Sequence, residues 1–269
     1  MAMLRGASAL ALVLPAVAMA QDFEAGMDAY ISGDYVRAAE VWTALAEQGD
    51  AEAQYELAFL HYAGLGVPED QAEAARLYRL AAEQGMVEAK LWLGFLYQVG
   101  LGVEEDPTEA ARWYALAAAQ GNEHAQASLG GMYEVGEGVP QDYAEAARYY
   151  RLAAKQDEPN AQNQLGHLYL AGLGVPRDEA EALRLFRLAA DEVGLWHFKE
   201  DLAVLLATGS EALRDPVAAL AWFTIAAEAG SHDALKPLDK LSRDLPPDEV
   251  TRAEALARAC LDSDFRACE

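Results

Sequence analysis

The chain has 269 residues, 53% of them hydrophobic, and its 44 acidic side chains against 20 basic ones give a formal charge of −24. That surplus of carboxylates excludes phosphate-backbone binding, whose electrostatic attraction needs cations, and discourages adhesion to anionic lipid. Only 10 prolines and no low-complexity run argue against a long disordered tail.

The first element is a targeting segment rather than part of the fold. Arg5 supplies a short positive region, Ala9 to Val17 are apolar, and Ala18-Met19-Ala20 has the small-x-small form of a cleavage site. Residues 1–20 are therefore expected to be a signal peptide, removed near Ala20. The alternative is an uncleaved anchor, but the apolar run is short for a bilayer span. A chain released into the periplasm or outside the cell is the expected product, with no transmembrane segment in the mature protein.

Residues 21–49 hold one helical unit, marked by Gly26, Gly33, Tyr35, Ala38, Trp42 and Leu45. From there a repeat takes over. Gly64, Gly100, Gly136 and Gly172 recur at a constant interval, as do Gly66, Gly102, Gly138 and Gly174, each followed by Val67, Val103, Val139 and Val175. Four units fill residues 50–193.

Each unit predicts two helices. Ala53, Leu57 and Leu60 form one apolar stripe at i, i+4 and i+7, with Ala89, Leu93, Leu96, then Ala125, Leu129, Met132, then Ala161, Leu165, Leu168 in the same places. A small residue stands beside the leucine each time (Ala58, Gly94, Gly130, Gly166), which implies a close backbone crossing. Asp70, Asp106, Asp142 and Asp178 precede Glu73, Glu109, Glu145 and Glu181 by three residues, a variant of the capping box at the start of the second helix. The second helices carry Tyr78, Trp113, Tyr114, Tyr149, Tyr150 and Phe186, read as inter-helix core.

In these positions the chain resembles the Sel-1-like repeat, a relative of the tetratricopeptide repeat. Residues 86–121 match most fully, through Ala89, Leu93, Gly94, Tyr97, Gly100, Gly102, Val103, Asp106, Ala110, Tyr114, Ala117, Ala118 and Gly121. Residues 50–85 depart from it with His61 for the usual tyrosine and Ala58 for the glycine. The resemblance implies an all-α fold, a right-handed α-solenoid of stacked antiparallel helix pairs. Residues 21–49 then look like a tetratricopeptide-type unit, and 194–230 like a degenerate repeat with one insertion. Residues 231–269 supply capping helices broken at Pro246-Pro247, since terminal units must present a polar face to water.

Cys260 and Cys268 are the only cysteines. An isolated pair in an oxidising compartment is expected to form a bridge, with two free thiols as the alternative. None of His61, His124, His167, His197 and His232 stands at metal-ligand spacing from another histidine or a cysteine. No G-x-S-x-G elbow, S-x-x-K pair or phosphate-binding G-x-x-x-x-G-K loop occurs. The paired glycines fall between helices, which excludes a nucleotide fingerprint. Metals, cofactors and catalytic residues are therefore not expected.

What the resemblance implies is a non-catalytic scaffold, adaptor or regulator that holds a protein partner, in periplasmic relatives a membrane sensor kinase or an envelope complex. A secreted β-lactamase-like hydrolase, as credited to some cysteine-rich relatives, is the alternative. Its recurring cysteine pairs and serine–lysine motif are absent here. A monomer is expected. In tetratricopeptide-type arrays the first helix of each pair lines the concave face, and this implies a partner groove formed by Phe23, Met27, Tyr30, Tyr55, Phe59, Tyr62, Leu91 and Phe95. The same offsets later give Ala127, Gly131, Glu134, Asn163 and His167, small or polar.

Overall fold

The computed structural model describes residues 13–190 and 196–263, with side chains described from residue 22 onward. Fourteen α-helices and no strand are found among them. In order they are α1 Val13–Ile31, α2 Tyr35–Ala46, α3 Ala51–Ala63, α4 Gln71–Glu83, α5 Val87–Val99, α6 Pro107–Ala118, α7 Glu123–Val135, α8 Tyr143–Ala154, α9 Pro159–Ala171, α10 Glu179–Ala190, α11 Trp196–Thr208, α12 Pro216–Glu228, α13 Leu235–Asp244 and α14 Pro247–Asp262. They divide between two compact units, Met1–Asn122 with α1 to α6 and Glu123–Glu269 with α7 to α14. Within each unit consecutive helices pack as pairs and each pair stacks on the next, so the all-α helix-pair architecture is the one adopted. In the second unit α14 covers α12 and buries Ala253, Ala257 and Cys260, while α13 buries no residue.

The apolar stripe explains the pairing. Ala53, Leu57 and Leu60 are buried, as are their equivalents in α5, α7 and α9. Each buried leucine contributes about 1.5–3 kcal/mol relative to exposure. The small residues sit where an aromatic ring of the second helix presses on the first. A Cβ added to Gly94 would lie 2.7 Å from the Tyr114 ring, and one on Gly130 2.8 Å from Tyr150. At Gly166 it would lie 2.6 Å from Phe186. Tyr78, Trp113, Tyr114, Tyr150 and Phe186 are buried as expected, whereas Tyr149 is half-buried and stacks on Tyr133 at 5.7 Å.

The second glycine of the G-x-G turns at Gly66, Gly102 and Gly174 is set by the preceding repeat. Added side chains at Gly66, Gly102 and Gly174 would strike the backbone of Tyr35, Gln71 and Tyr143, at the starts of α2, α4 and α8. The turn thus packs its backbone directly on the previous second helix. Asp157 holds a left-handed φ of 61° in series with Gly49, Gly85 and Gly121. Aspartate visits that region more readily than most residues, which accounts for the substitution.

The capping boxes close only halfway. Asp70, Asp106, Asp142 and Asp178 accept hydrogen bonds from the first-turn N–H groups, as predicted. The glutamates do not reach back. Glu73, Glu109, Glu145 and Glu181 instead pair with Arg76, Arg112, Arg148 and Arg184 one turn on. The aspartate N–H groups donate to the carbonyls of His61, Tyr97, Tyr133 and Tyr169 at 2.9–3.0 Å, near the end of the first helix. A carbonyl held by the turn is a fixed acceptor, so the glutamate is free to neutralise an arginine.

A polar latch joins successive pairs. Gln54, Lys90, Gln126, Gln162 and Lys199 occupy one register of the first helices and are all buried. Gln54 donates to the Ala46 carbonyl at 3.2 Å and accepts from Gln84 at 2.8 Å. Gln156 reaches Gln126 in the same way at 2.9 Å, and the Lys90 ammonium donates to the Gly85 carbonyl at 3.0 Å. Polar groups at such depth persist because they are hydrogen-bonded.

Candidate functional site

In the first unit one face of α1, α3 and α5 is aromatic. Phe23, Met27, Tyr30, Tyr55, Phe59, Tyr62, Leu91 and Phe95 are all half-buried on it. All but Phe59 and Leu91 also pack against the core of the unit. The rings form two ladders, one around Trp42 and one around Trp92. Trp42 of α2 lies 6.0 Å from Phe23 and 5.8 Å from Tyr30, and Tyr30 meets Phe59 edge-on at 6.4 Å. Tyr62 reaches Trp92 at 5.3 Å, which carries the second ladder from α3 to α5.

Trp92 is the node that the repeat offsets missed. It stacks on Tyr78 at 5.7 Å with the rings 2° apart, and meets Phe95 edge-on at 5.9 Å. Its indole also lies close enough to the Tyr55 phenol to act on its ionisation. The sequence did hold the signal. Glu88, Leu91, Trp92 and Phe95 follow i, i+3, i+4 and i+7, so Trp92 shares the stripe of its neighbours. The same spacing in α3 gives Glu52, Tyr55, Glu56 and Phe59, a carboxylate–aromatic stripe in each repeat.

These carboxylates shape the electrostatics. Burial pushes the Tyr55 phenol above its usual range, the Trp92 hydrogen bond opposes this, and the charges of Glu56 and Glu88 add to the rise. Burial, then the charge of Glu52, raises the Glu56 carboxyl. Tyr78 is fully buried and its phenol is pushed far up, first by burial and then by Tyr55, Glu56 and Tyr62. Tyr114 and Tyr150, its equivalents, donate to Gln98 at 3.0 Å and Glu134 at 2.7 Å. Tyr62 occupies that acceptor position in the first repeat, and the Tyr78 hydroxyl has no partner among the described residues.

The second unit carries polar chemistry in the same register. Asn163 and His167 of α9 both bond Asp201 of α11, at 2.9 and 3.0 Å. A cleft of about 400 Å³ is lined by His124, Ala127, Ser128, Tyr150, Glu158, Asn160 and Gln164. Among the described residues no group of three or more His, Cys, Asp or Glu is placed to hold a metal ion. Nor is any helix there long and apolar enough to cross a membrane. Cys260 is fully buried, and Cys268 lies outside the described residues, as do residues 1–12 of the expected signal peptide.

The Sel1 repeat model matches residues 51–86, 87–122, 123–158, 159–192 and 200–231. The chain belongs to the Sel1 repeat family. Its fold is similar to the crystal structure of a protective antigen present in uropathogenic Escherichia coli strains that displays this repeat fold. That likeness has 30% identity and a TM-score of 0.78 over 91% of this chain, which spans 54% of the antigen. A Sel1 repeat protein from Oxalobacter formigenes is similar at 29% identity and a TM-score of 0.73, covering 88% of this chain and 99% of that one. No curated protein matches the chain. Sel1 repeats generally mediate protein–protein interaction, and the family is generally a non-catalytic scaffold. The fifth match lies on α11 and α12, so the degenerate segment is a Sel1 repeat too.

Proposed function

We propose that this Sel1 repeat protein is a non-catalytic adaptor or regulator of the bacterial periplasm, which receives a segment of a partner protein on the aromatic face of its first unit. The observation that carries the reading is the half-buried aromatic face, with Phe23, Tyr30 and Phe59 gathered around Trp42 and Tyr55, Tyr62 and Phe95 around Trp92 and Tyr78. Half-buried rings supported from below offer large contact area at small entropic cost, the property of interface anchors. A partner that is a membrane sensor kinase or envelope complex fits an exported adaptor. Export is supported by the N-terminal signature. In that compartment Cys260 and Cys268 would be bridged, which intact mass with and without reduction tests directly.

The test of the groove is site-specific crosslinking from position 59 or 95 in intact cells, followed by mass spectrometry and by Phe59→Ala and Phe95→Ala. One partner species captured by the wild-type chain, and lost in folded variants, is the expected result. Undiminished capture by both variants would place the groove elsewhere.

A further inference from the structure

The proposed adaptor reading leaves the chemistry of the partner open, and the charges around the ladder narrow it. Residues 22–122 carry 18 carboxylates and 5 cations. Every one of those cations is already engaged. Arg37, Arg76 and Arg112 pair with Glu40, Glu73 and Glu109. Arg79 bonds the Tyr97 hydroxyl, and Lys90 is buried against the Gly85 carbonyl. Glu52, Glu56 and Glu88, which share the stripe with Tyr55, Trp92 and the two phenylalanines, have no ion-pair partner among the described residues. Glu56 is half-buried and in the register that Trp92 occupies one repeat later.

A carboxylate drawn part-way out of water without a counter-charge is costly, and a cation from outside would relieve it. Aromatic faces beside it strengthen the case, because ring quadrupoles attract guanidinium and ammonium groups. The chain already uses that contact elsewhere: Arg112 lies 4.4 Å over the Trp113 ring and Arg148 3.9 Å over Tyr149. The half-buried rings beside these carboxylates favour a peptide with apolar side chains over a free cation. A second copy of this chain would bring 44 more carboxylates against 20 cations and be repelled.

We infer that the segment received by the first unit is basic and apolar, with an arginine or lysine stacked on the Trp92–Tyr62 rings and paired to Glu56 and Glu88. The inference rests on the aromatic-face reading, and its test separates the two. Fluorescence anisotropy of the full chain is measured with labelled 12-residue peptides alternating leucine with arginine, glutamine or glutamate.

The arginine peptide is expected to bind at least about tenfold tighter than the glutamine peptide, and the glutamate peptide not at all. Joint Glu56→Gln and Glu88→Gln substitution should remove that tenfold and leave the glutamine peptide unchanged. Joint Glu104→Gln and Glu105→Gln substitution removes the same charge from an exposed turn and should leave all affinities as they were. Equal loss in the two double variants would mean attraction by the overall field and sink the inference. Equal binding of the arginine and glutamine peptides, weakened by Phe59→Ala, would sink it while sparing the aromatic face. Binding of none of the three would sink both.

Discussion

Tyr55 meets Trp92 across two neighbouring repeats of the first unit, and in the second unit the corresponding contact is Asn163 to Asp201. The frames around both are alike. Leu57 and Leu93 are buried in one, Leu165 and Leu202 in the other, with aspartate caps of the same kind on the second helices. The faces differ completely, rings in one and an amide–carboxylate–imidazole cluster in the other. Core positions of this repeat are fixed by packing, since each stripe meets its neighbour at close range. The aromatic face of the first unit and its polar counterpart in the second are only half-buried, so their chemistry is at liberty to change between units.

The largest effect is expected at Trp92. Trp92→Ala should lower stability by about 2–4 kcal/mol in urea denaturation, at or below the usual loss for truncating a buried ring, because Trp92 is half-buried. A loss under about 1 kcal/mol would mean that the ladder adds little to the fold. Its counterpart is Asp201→Ala, which strands the buried Asn163 amide and should cost about 1–3 kcal/mol. Protection of α9 against hydrogen exchange should fall in that variant and stay level in α3; equal change in both would deny the second unit its own polar lock.

Phe59→Ala sharpens the contrast within the first unit. Phe59 touches Tyr30 at its edge and does not join the core cluster, so about 1 kcal/mol of stability should go. A larger drop would assign it to the core rather than the docking face.

The smallest effect is on acid stability. Burial pushes the Asp201 carboxyl up, but hydrogen bonds from His167 and Asn163 and the charges of His167 and His197 outweigh it, and the carboxyl lies below its usual value. A depressed carboxyl contributes stability fully above the unfolded pKa of about 3.9, lost as pH falls through the folded value. Wild-type urea midpoints between pH 6 and pH 3 should therefore fall more steeply than those of Asp201→Asn. Parallel curves would remove Asp201 from the acid limb.

The sequence alone determined the helix pairs, their caps and their phase, because a constant period and the i, i+4, i+7 stripe from Ala53 to Leu60 admit one local structure. Family-type offsets also picked out eight residues that are half-buried in the structure. Only the tertiary structure decided the rest. Glu73 pairs with Arg76 instead of completing the capping box because the first helix offers the His61 carbonyl to the Asp70 N–H. Gly66, Gly102 and Gly174 answer to backbone one repeat earlier, and Trp92 becomes the node because Tyr55, Tyr62 and Tyr78 converge on it from two other helices. Local spacing fixes what a residue does within its own helix; which neighbour supplies its hydrogen bond or ring is settled by the stacking of one pair on the next.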